Sequence, residues 1–327
     1  MNNNYILVTG GSGFIGSHLV EYLVKKNLKV ISFDRYNTSN NLGWLQDSPY
    51  KKKIKFILGD IRDYDSVYNT LKKCNSVIHL AALIGIPYSY ESPAAYIKTN
   101  VEGTYNVLEA AKNLKIKNII ITSTSEVYGT AKKYKLSEND LVKGQSPYAA
   151  TKIAADQLAL SYNLSFKIPV KIIRPFNTFG PRQSQRAIIP TIISQIIRKK
   201  IIKIGNKNST RDFTYVKDLC EAFYKIFKSK KCIGQIINVG SGKEISINDL
   251  IKKINYLNKS KNKIKIEKKR LRPIKSEVNR LRCDNAKIKK LLKWKIKYKL
   301  NKSLQETIDW YCDKENLKYF PDDNYKI

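Results

Sequence analysis

The chain is poor in several residue types that support common chemistries. Its 327 residues include only two histidines, His18 and His79, so neither a histidine-built metal centre nor a histidine-based triad is expected. The five cysteines show no CxxC spacing, which suits reduced thiols in a cytoplasm. No run approaches the roughly 18 apolar residues of a membrane helix, and the N-terminus lacks the basic region of a signal peptide. We therefore expect a cytoplasmic protein without a metal site and without membrane insertion.

Acidic residues are also scarce. The chain has 27 Asp and Glu against 61 Lys and Arg, which gives a net charge of +34. Residues 161–327 carry +27 of this charge, and residues 1–160 carry +7. Such a field attracts polyanions, but lysines scattered over solvated faces would give the same number. No motif interleaves aromatic and basic residues. We therefore expect no specific nucleic-acid partner, although a basic surface would help to gather a pyrophosphate-containing substrate.

Short β-rich apolar runs alternate with helical patterns in the first half, which is typical of a parallel sheet covered by helices. The predicted strands are Tyr5–Thr9, Lys29–Phe33, Ile54–Leu58, Ser76–Leu80, Asn118–Thr122 and Val170–Ile173. The predicted helices between them are Phe14–Lys26, Asp63–Lys73, Pro93–Leu114 and Pro147–Phe166. The pattern predicts an α/β fold with a doubly wound parallel sheet of the Rossmann type.

The regular alternation of strands and helices becomes less clear after about Pro175. Further helices are predicted at Ala187–Lys199, Asp218–Phe227, Ile247–Leu257 and Leu304–Tyr311. We expect a first domain over residues 1–175 and a smaller C-terminal α/β substrate-binding region over residues 176–327, which closes over the carboxyl edge of the sheet. Strands near 201–204 and 236–239 are candidates to rejoin the first domain. The charge-dense stretch Lys259–Arg272 predicts a solvated hairpin.

A glycine-rich turn follows the first strand. Gly10, Gly13 and Gly16 lie in the run TGGSGFIGSHL, which opens a helix. Glycines permit a tight turn, and the N–H groups at a helix N-terminus favour a pyrophosphate. Three glycines at this spacing are weak evidence on their own, but their place between a strand and a helix indicates a dinucleotide-binding site.

Asp34 ends the second strand, 18 residues beyond Gly16. A carboxylate there accepts hydrogen bonds from ribose hydroxyls and repels a 2′-phosphate, which favours NAD over NADP; the adjacent Arg35 argues the other way. Asp60 and Ile61 are placed to border the adenine ring. The residues expected to bind the cofactor are Gly10, Gly13, Phe14, Ile15, Gly16, Asp34, Arg35, Asp60, Ile61, Leu80, Ala81 and Ala82, with Tyr148 and Lys152.

Tyr148 and Lys152 are four residues apart at a predicted helix start, so both side chains share one face. An ammonium beside a phenol favours the phenolate, so Tyr148 is predicted to exchange a proton near neutral pH. The glycine turn and this pair together resemble the short-chain dehydrogenase/reductase superfamily, and the length resembles its extended branch.

The fifth predicted strand ends in STSEVYG, from Ser123 to Gly129. This sequence resembles nucleotide-sugar 4,6-dehydratases of the GDP-mannose type. The resemblance implies that Thr124 hydrogen-bonds the sugar O4 and that Glu126 is the base that removes the C5 hydrogen. In the dTDP-glucose enzymes an Asp serves as acid for the C6 hydroxyl; Ser125 stands here instead, which leaves the acid unidentified.

Other segments resemble the dehydratases of legionaminic-acid-type pathways, which act on an activated N-acetylglucosamine. These segments are Asp34–Leu45, His79–Pro93, Arg174–Thr191, Thr210–Val216 and Arg272–Leu281. The resemblance implies substrate contacts from Tyr88, Ser125, Asn177, Arg182, Arg211 and Arg272. Arg211 and Arg272 would grip the pyrophosphate, because a guanidinium donates in a planar fork.

The expected activity is conversion of a GDP- or UDP-linked N-acetylglucosamine to its 4-keto-6-deoxy derivative with bound NAD. A UDP-glucuronate decarboxylase and a 4-epimerase are alternatives on the same scaffold, and Glu126 argues against the epimerase. A remoter alternative is a non-catalytic NAD- or polyanion-binding protein. The resemblance also implies a homodimer, formed through the helices at 93–114 and 147–166.

Overall fold

The computed structural model describes residues 4–198, 201–317 and 319–320. Its strands are β1 (Tyr5–Thr9), β2 (Val30–Arg35), β3 (Ile54–Gly59), β4 (Cys74–His79), β5 (Asn118–Thr122), β6 (Val170–Pro175), β7 (Asn177–Phe179), β8 (Ile201–Ile204), β9 (Thr210–Arg211), β10 (Phe213–Tyr215), β11 (Ile236–Val239), β12 (Ile245–Ser246) and β13 (Lys263–Ile266). Its helices are α1 (Phe14–Lys25), α2 (Tyr64–Leu71), α3 (Ile86–Glu91), α4 (Pro93–Tyr96), α5 (Gly103–Asn113), α6 (Pro147–Phe166), α7 (Ile188–Arg198), α8 (Val216–Lys228), α9 (Ile247–Leu257), α10 (Ala286–Leu292), α11 (Leu300–Cys312) and α12 (Lys314–Leu317).

The centre is a seven-stranded parallel sheet in the order β11-β6-β5-β4-β1-β2-β3. The central strands are apolar on both faces because helices cover both. In β1, Ile6 and Val8 pack with Leu19 and Leu23 of α1, whereas Leu7 packs with Val107 of α5 on the other face. The predicted Rossmann-type α/β fold is confirmed. The strand order reverses between β1 and β4, which places a ligand crevice at their carboxyl ends.

Two strands named as candidates to join the main sheet behave differently. Strand β11 pairs with β6 and becomes the sheet edge. Strand β8 instead pairs in parallel with β13, which lies inside the stretch Lys259–Arg272. The predicted solvated hairpin there is wrong: the alternation KIKI gives β13 one apolar side, and Ile264 packs against the main core.

The helix predicted over residues 93–114 is interrupted. Between α4 and α5, residues Ile97–Glu102 form a wider π-helical turn. This turn carries Asn100, which is buried and hydrogen-bonded outside the helix. Wider turns of this kind mark places where tertiary contacts override regular helix geometry.

Short strands bring later parts of the chain to the carboxyl edge of the main sheet. Strand β7 follows β6 almost directly and pairs with β10, which places Asn177 opposite Phe213. Strand β9 pairs antiparallel with β12, and Thr210 also bridges to Arg280. Within the part of the chain described, no helix has the length and apolar character to cross a membrane.

Candidate active site

The loop between β1 and α1 is shaped by its glycines. Gly10 has a φ of +68°, and a Cβ on Gly16 would lie 2.0 Å from the Gly10 carbonyl oxygen, so the helix begins directly against the turn. Gly13 is the N-cap of α1, and among the described residues no side chain caps this helix end. The first turn, which includes Phe14 and Ile15, therefore presents its backbone N–H groups to an anion.

Asp34 lies beside this turn and is 9% exposed. Its Oδ1 accepts hydrogen bonds from the Ser12 N–H at 2.9 Å and the Ser12 hydroxyl at 2.7 Å, and its Oδ2 accepts from the Ser32 hydroxyl at 2.5 Å. Burial raises the pKa of Asp34, and these hydrogen bonds oppose the shift. A carboxylate has about four acceptor positions, so one on Oδ2 remains for a ribose hydroxyl. Asp34 also holds the glycine turn through Ser12.

The backbone after β4 passes close to the same turn. The N–H groups of Leu80 and Ala81 each donate to the Thr9 hydroxyl at 3.2 Å, and a Cβ on Gly10 would lie 3.0 Å from the Ala81 Cα. His79 is buried between the hydroxyls of Thr9 and Thr104. Burial, with a smaller contribution from the Lys152 charge, lowers the pKa of His79 to about 3, so this imidazole is neutral. Ala82 follows in the same partly buried stretch.

Asp60 and Ile61 follow β3, next to the end of β2. The Asp60 carboxylate binds the guanidinium of Arg62, and these bonds lower its pKa. The Ile61 carbonyl accepts from the Asn106 amide at 3.0 Å, and the Ile61 side chain is buried. Arg35 is exposed at the end of β2. Arg62 therefore competes for the carboxylate that the sequence assigned to the adenine.

Tyr148, Thr124 and Glu126 come together beyond the end of β5. The Thr124 side chain and the charge of Glu126 both influence the Tyr148 phenol, so both groups lie near its hydroxyl. The Thr124 hydroxyl also accepts from the Glu126 N–H at 3.2 Å, which caps a short 3₁₀ turn at Ser125–Tyr128. Glu126 is 8% exposed. The structure thus places a hydroxyl, a phenol and a buried carboxylate in one site.

Lys152 lies one turn beyond Tyr148 on α6 and is 3% exposed. Its Nζ donates to the Thr122 carbonyl at 2.6 Å. Burial lowers the pKa of Lys152 to about 8, opposed by the charge of Asp156. The pKa of Tyr148 is raised by burial and by Glu126, contrary to the expectation that the ammonium lowers it. Loss of solvation is the largest cause of this upward shift in the pKa of Tyr148.

Sequence reasoning missed a buried acid on the same stripe of α6. Asp156 is one turn beyond Lys152 and fully buried. Its Oδ2 accepts from the Ser123 hydroxyl at 2.8 Å and from the Nε and Nη2 of Arg174 at 3.0 and 2.9 Å. The i, i+4, i+8 spacing from Tyr148 was the available signal. Nothing local indicated its partner Arg174.

Asn100, in the π-helical turn, was also missed. Its side-chain oxygen accepts from the Leu83 N–H at 2.8 Å, and its amide donates to the Leu83 carbonyl at 3.0 Å and to the Thr151 hydroxyl at 3.1 Å. It therefore ties the loop after β4 to α6 beside Lys152. The positions of Asn100 and Thr151 depend on tertiary packing, so no local pattern revealed this contact.

A second charged group adjoins Glu126. Arg211 on β9 is 6% exposed, and its Nη2 lies 3.4 Å from the Glu277 Oε1. Burial lowers the pKa of Arg211, while the charges of Glu126 and Glu277 raise it and that of Arg272 lowers it. The Nη1 of Arg272 is buried without a protein partner, as is the Oδ1 of Asn177. Two neighbouring guanidinium groups with a spare donor are suited to bind an anion, and we call this pair the anion site.

The remaining predicted substrate residues lie in different surroundings. The ring centroid of Tyr88, on α3, is 6.1 Å from that of Tyr96, which packs against Tyr148. Ser125 is 2% exposed beneath the site. Arg182 has a φ of +69°, and its Nη2 lies 3.1 Å from the Glu21 Oε1 on α1. Tyr88 and Ser125 therefore lie close to Tyr148 and Glu126. One guanidinium nitrogen of Arg182 is instead paired with Glu21 on α1.

The sequence profile of the GDP-mannose 4,6 dehydratase family matches residues 7–307. The chain belongs to this family. It is therefore an enzyme of the extended short-chain dehydrogenase/reductase type, from the group that holds nucleotide-sugar dehydratases, epimerases and decarboxylases.

Relatives of this dehydratase-family protein span those reactions. It is 37% identical to dTDP-D-glucose 4,6-dehydratase from Dictyostelium discoideum over 76% of the chain and 61% of that protein. It is 33% identical to UDP-N-acetyl-alpha-D-glucosaminuronate decarboxylase from Bacillus cytotoxicus over 95% of the chain and 98% of that protein. A solved UDP-glucuronic acid 4-epimerase from Bacillus cereus, in complex with UDP-glucuronic acid and NAD, has a TM-score of 0.85 and 31% identity over 94% of the chain and 98% of the epimerase. The family is thus shown, and the reaction and sugar within it are not distinguished by similarity.

Proposed function

We propose that this chain is an NAD-dependent nucleotide-sugar 4,6-dehydratase acting on GDP- or UDP-N-acetylglucosamine. The observation that carries the reaction type is the buried Glu126 carboxylate, whose charge helps to raise the pKa of both Tyr148 and Arg211 and which therefore lies near both groups. An epimerase has no need of a base at C5. The elimination of water requires one, and Glu126 lies next to the group that handles the O4 proton.

NAD fits the residues at the β1–α1 turn. The contact between Gly16 and Gly10 leaves no room for a side chain, so a pyrophosphate can approach the open end of α1. The free acceptor on Asp34 Oδ2 suits a ribose hydroxyl and disfavours a 2′-phosphate. When bound, NAD supplies the hydride acceptor for C4 and the hydride donor for C6.

Each residue around Tyr148 has its own role in the proposed reaction. Tyr148 takes the O4 proton, and the Thr124 hydroxyl, which lies near the phenol, hydrogen-bonds the sugar O4. A 4-ketone acidifies the C5 hydrogen, which Glu126 removes as water leaves from C6. The Lys152 ammonium, held by Thr122, stabilises negative charge on Tyr148 during the transfer. Ser125 lacks an ionisable acid for the departing hydroxyl.

Substrate binding is assigned to the anion site. Arg211 and Arg272 would hold the pyrophosphate, with Asn177 offering an unpaired buried amide oxygen and Tyr88 lying beside the sugar. Arg182 is kept as a further phosphate or base contact through its unpaired Nη1. The choice of N-acetylglucosamine rests on the resemblance of the five segments described above.

The replacement Glu126→Gln tests the reaction type. Oxidation at C4 uses Tyr148, Lys152 and Thr124, which are unchanged, whereas an amide is a very poor base at C5. We expect 6-deoxy product formation to fall by roughly 10²–10⁴-fold, while substrate still binds and NADH absorbance accumulates. NADH absorbance measures the oxidation at C4, whereas mass spectrometry of the products and exchange of the C5 hydrogen in deuterated water measure the elimination.

Tyr148→Phe is the matched control, because it should prevent NADH formation itself. Near wild-type turnover of Glu126→Gln would remove Glu126 as the base and with it the dehydratase proposal. With the wild-type protein and a panel of UDP-, GDP- and dTDP-sugars, loss of water supports the dehydratase. Loss of carbon dioxide identifies a decarboxylase, and unchanged mass with inverted C4 identifies an epimerase.

A further inference from the structure

We propose that Gln145 is a positioning residue that couples binding of the substrate pyrophosphate to the placement of Tyr148 and Glu126. The inference rests on the proposed function for the identity of these groups. Gln145 lies three residues before Tyr148 and is partly buried. It touches neither the glycine turn nor the Tyr148 phenol, so its role would be exerted through the segments it joins.

The amide of Gln145 is hydrogen-bonded at both ends. Its Oε1 accepts from the Thr130 N–H at 2.5 Å, and its Nε2 donates to the Lys275 carbonyl at 3.0 Å and to the Glu277 carbonyl at 3.3 Å. Its own main-chain carbonyl accepts from the Ser276 hydroxyl. One residue thus joins two segments that are distant in sequence.

Each joined segment carries a group assigned to the reaction. Thr130 follows the turn that holds Glu126, and Gly129 between them has a φ of +65° and no space for a Cβ, which would lie 2.5 Å from the Gln145 Oε1. On the other side of Gln145, Ser146 caps α6 by accepting from the Ala149 N–H at 3.1 Å, and Tyr148 lies in that first helical turn.

The third segment, Lys275–Glu277, belongs to the anion site. It follows Arg272, and the Glu277 carboxylate pairs with Arg211. The Ser276 hydroxyl also hydrogen-bonds the Tyr90 hydroxyl at 2.7 Å, on the same aromatic cluster as Tyr148. A pyrophosphate that orders the arginines therefore acts, through Gln145, on the starts of the segments that carry the base and the phenol.

The chain contains a glutamine with the same bonding pattern outside this site. Gln195, on α7, accepts from the Lys203 N–H at 2.7 Å with its Oε1 and donates to the carbonyls of Lys203 and Thr191 at 3.0 and 3.3 Å with its Nε2. Gln145→Glu and Gln195→Glu each keep the acceptor and set a carboxylate against two carbonyl oxygens. Gln195→Glu is therefore a control for the structural cost of the change.

The experiment compares both variants with wild type in thermal unfolding, NAD affinity, affinity for UDP, GDP and dTDP, and steady-state kinetics. For Gln145→Glu we expect the bound nucleoside diphosphate to dissociate at least about 5-fold more readily and kcat to fall roughly 10- to 100-fold because the reacting groups are misplaced. NAD affinity should stay at the wild-type value. Gln195→Glu should lower the melting temperature at least as much, because Gln195 is only 2% exposed, with unchanged kinetics and binding.

Wild-type nucleotide affinity and kcat in Gln145→Glu would overturn the proposal. So would a loss of kcat with unchanged nucleotide affinity, because the two effects would then be uncoupled. If Gln145→Glu fails to bind NAD, the uncharged Gln145→Met provides the same comparison. Nucleotide binding is measured without turnover, so an incorrect reaction assignment, seen as no 4-keto-6-deoxy product from wild type, is distinguishable from failure of the coupling.

Discussion

At the scale of single residues, burial decides the charge states around Tyr148. The i, i+4 spacing led us to expect that Lys152 would lower the pKa of the phenol. In the structure both groups are nearly inaccessible to water, and burial raises the pKa of Tyr148 while lowering that of Lys152 to about 8. Each buried group is pushed towards its neutral form. Proton transfer at Tyr148 therefore depends on charge brought by ligands as well as on the lysine.

Lys152→Met is expected to change the pH dependence of stability. Burial lowers the pKa of Lys152 in the folded protein to about 8 from its ordinary value of 10.5, so the buried ammonium destabilises the fold below pH 8. This penalty is relieved as pH rises from 8 to 10.5, because the unfolded chain then binds more protons than the folded one. Without the penalty, Lys152→Met gains in free energy of unfolding relative to wild type at low pH. This gain should shrink by up to roughly 3 kcal/mol between pH 8 and 10.5. Denaturant unfolding at several pH values measures it.

Lys243→Met is the control, since Lys243 is exposed. Its stability difference from wild type should be nearly constant from pH 7 to 10.5. A constant difference for Lys152→Met as well would show that burial does not depress the pKa of Lys152. The lost bond from Nζ to the Thr122 carbonyl shifts the difference equally at every pH and does not imitate the expected slope.

At the scale of elements, the β1–α1 turn is built by contacts between backbone atoms. Gly16 sits so close to Gly10 that the helix and the turn form one unit, and Gly10 in turn is pressed against Ala81. Ser12 adds the link to Asp34 at the end of β2. The turn is therefore held by three strands, which keeps the N-terminus of α1 in a fixed position for a pyrophosphate.

Gly16→Ala should separate α1 from the turn. The added Cβ would lie 2.0 Å from the Gly10 carbonyl oxygen and 2.8 Å from the Gly11 Cα, so backbone must move. We expect NAD affinity to fall at least roughly 10-fold, which corresponds to about 1.4 kcal/mol, together with a lower melting temperature. Isothermal titration with NAD and thermal unfolding report the two effects.

Gly85→Ala serves for comparison. Gly85 precedes α3, and its added Cβ would lie 3.5 Å from the Tyr96 hydroxyl oxygen, an ordinary contact. It should retain wild-type NAD affinity and nearly wild-type stability. NAD binding by Gly16→Ala at the wild-type level would mean that the cofactor does not use this turn.

At the scale of the whole molecule, the outer face of α5 and α6 carries apolar side chains. Tyr105 on α5 and Leu164 and Phe166 on α6 are exposed by 44%, 79% and 50%. The two helices pack side by side, with the Tyr162 hydroxyl donating to Glu109 at 2.8 Å. A second copy that covered this face would form the four-helix contact proposed for the dimer.

Leu164→Asp should weaken this dimer by placing a carboxylate in the contact. We expect a shift towards monomer at micromolar concentration, measured by sedimentation velocity. Leu141→Asp changes a leucine that is 91% exposed in the loop before α6, and it should leave the dimer unchanged. A monomeric wild-type protein, or a Leu164→Asp variant as dimeric as wild type, would contradict the proposal.

The sequence by itself determined six of the seven strands of the main sheet and named the seventh, at 236–239, as a candidate. Strand–helix alternation and the strand–glycine–helix order are local patterns, and the predicted bounds of β1, β5 and α6 coincide with those observed. Tyr148 and Lys152 share a helix face because their spacing is local as well. The family followed from the same motifs. The two-domain division and the roles of the site residues stay predictions.

Only the tertiary structure decided which distant groups meet. Three contacts each join segments that are separated in the sequence: Asp156 with Arg174, Arg211 with Glu277, and Gln145 with Lys275. It also decided that β8 pairs with β13 and that burial raises the pKa of Tyr148. Pairing, burial and solvation depend on the three-dimensional surroundings of a residue, and these are set by packing between elements rather than by neighbours in the chain.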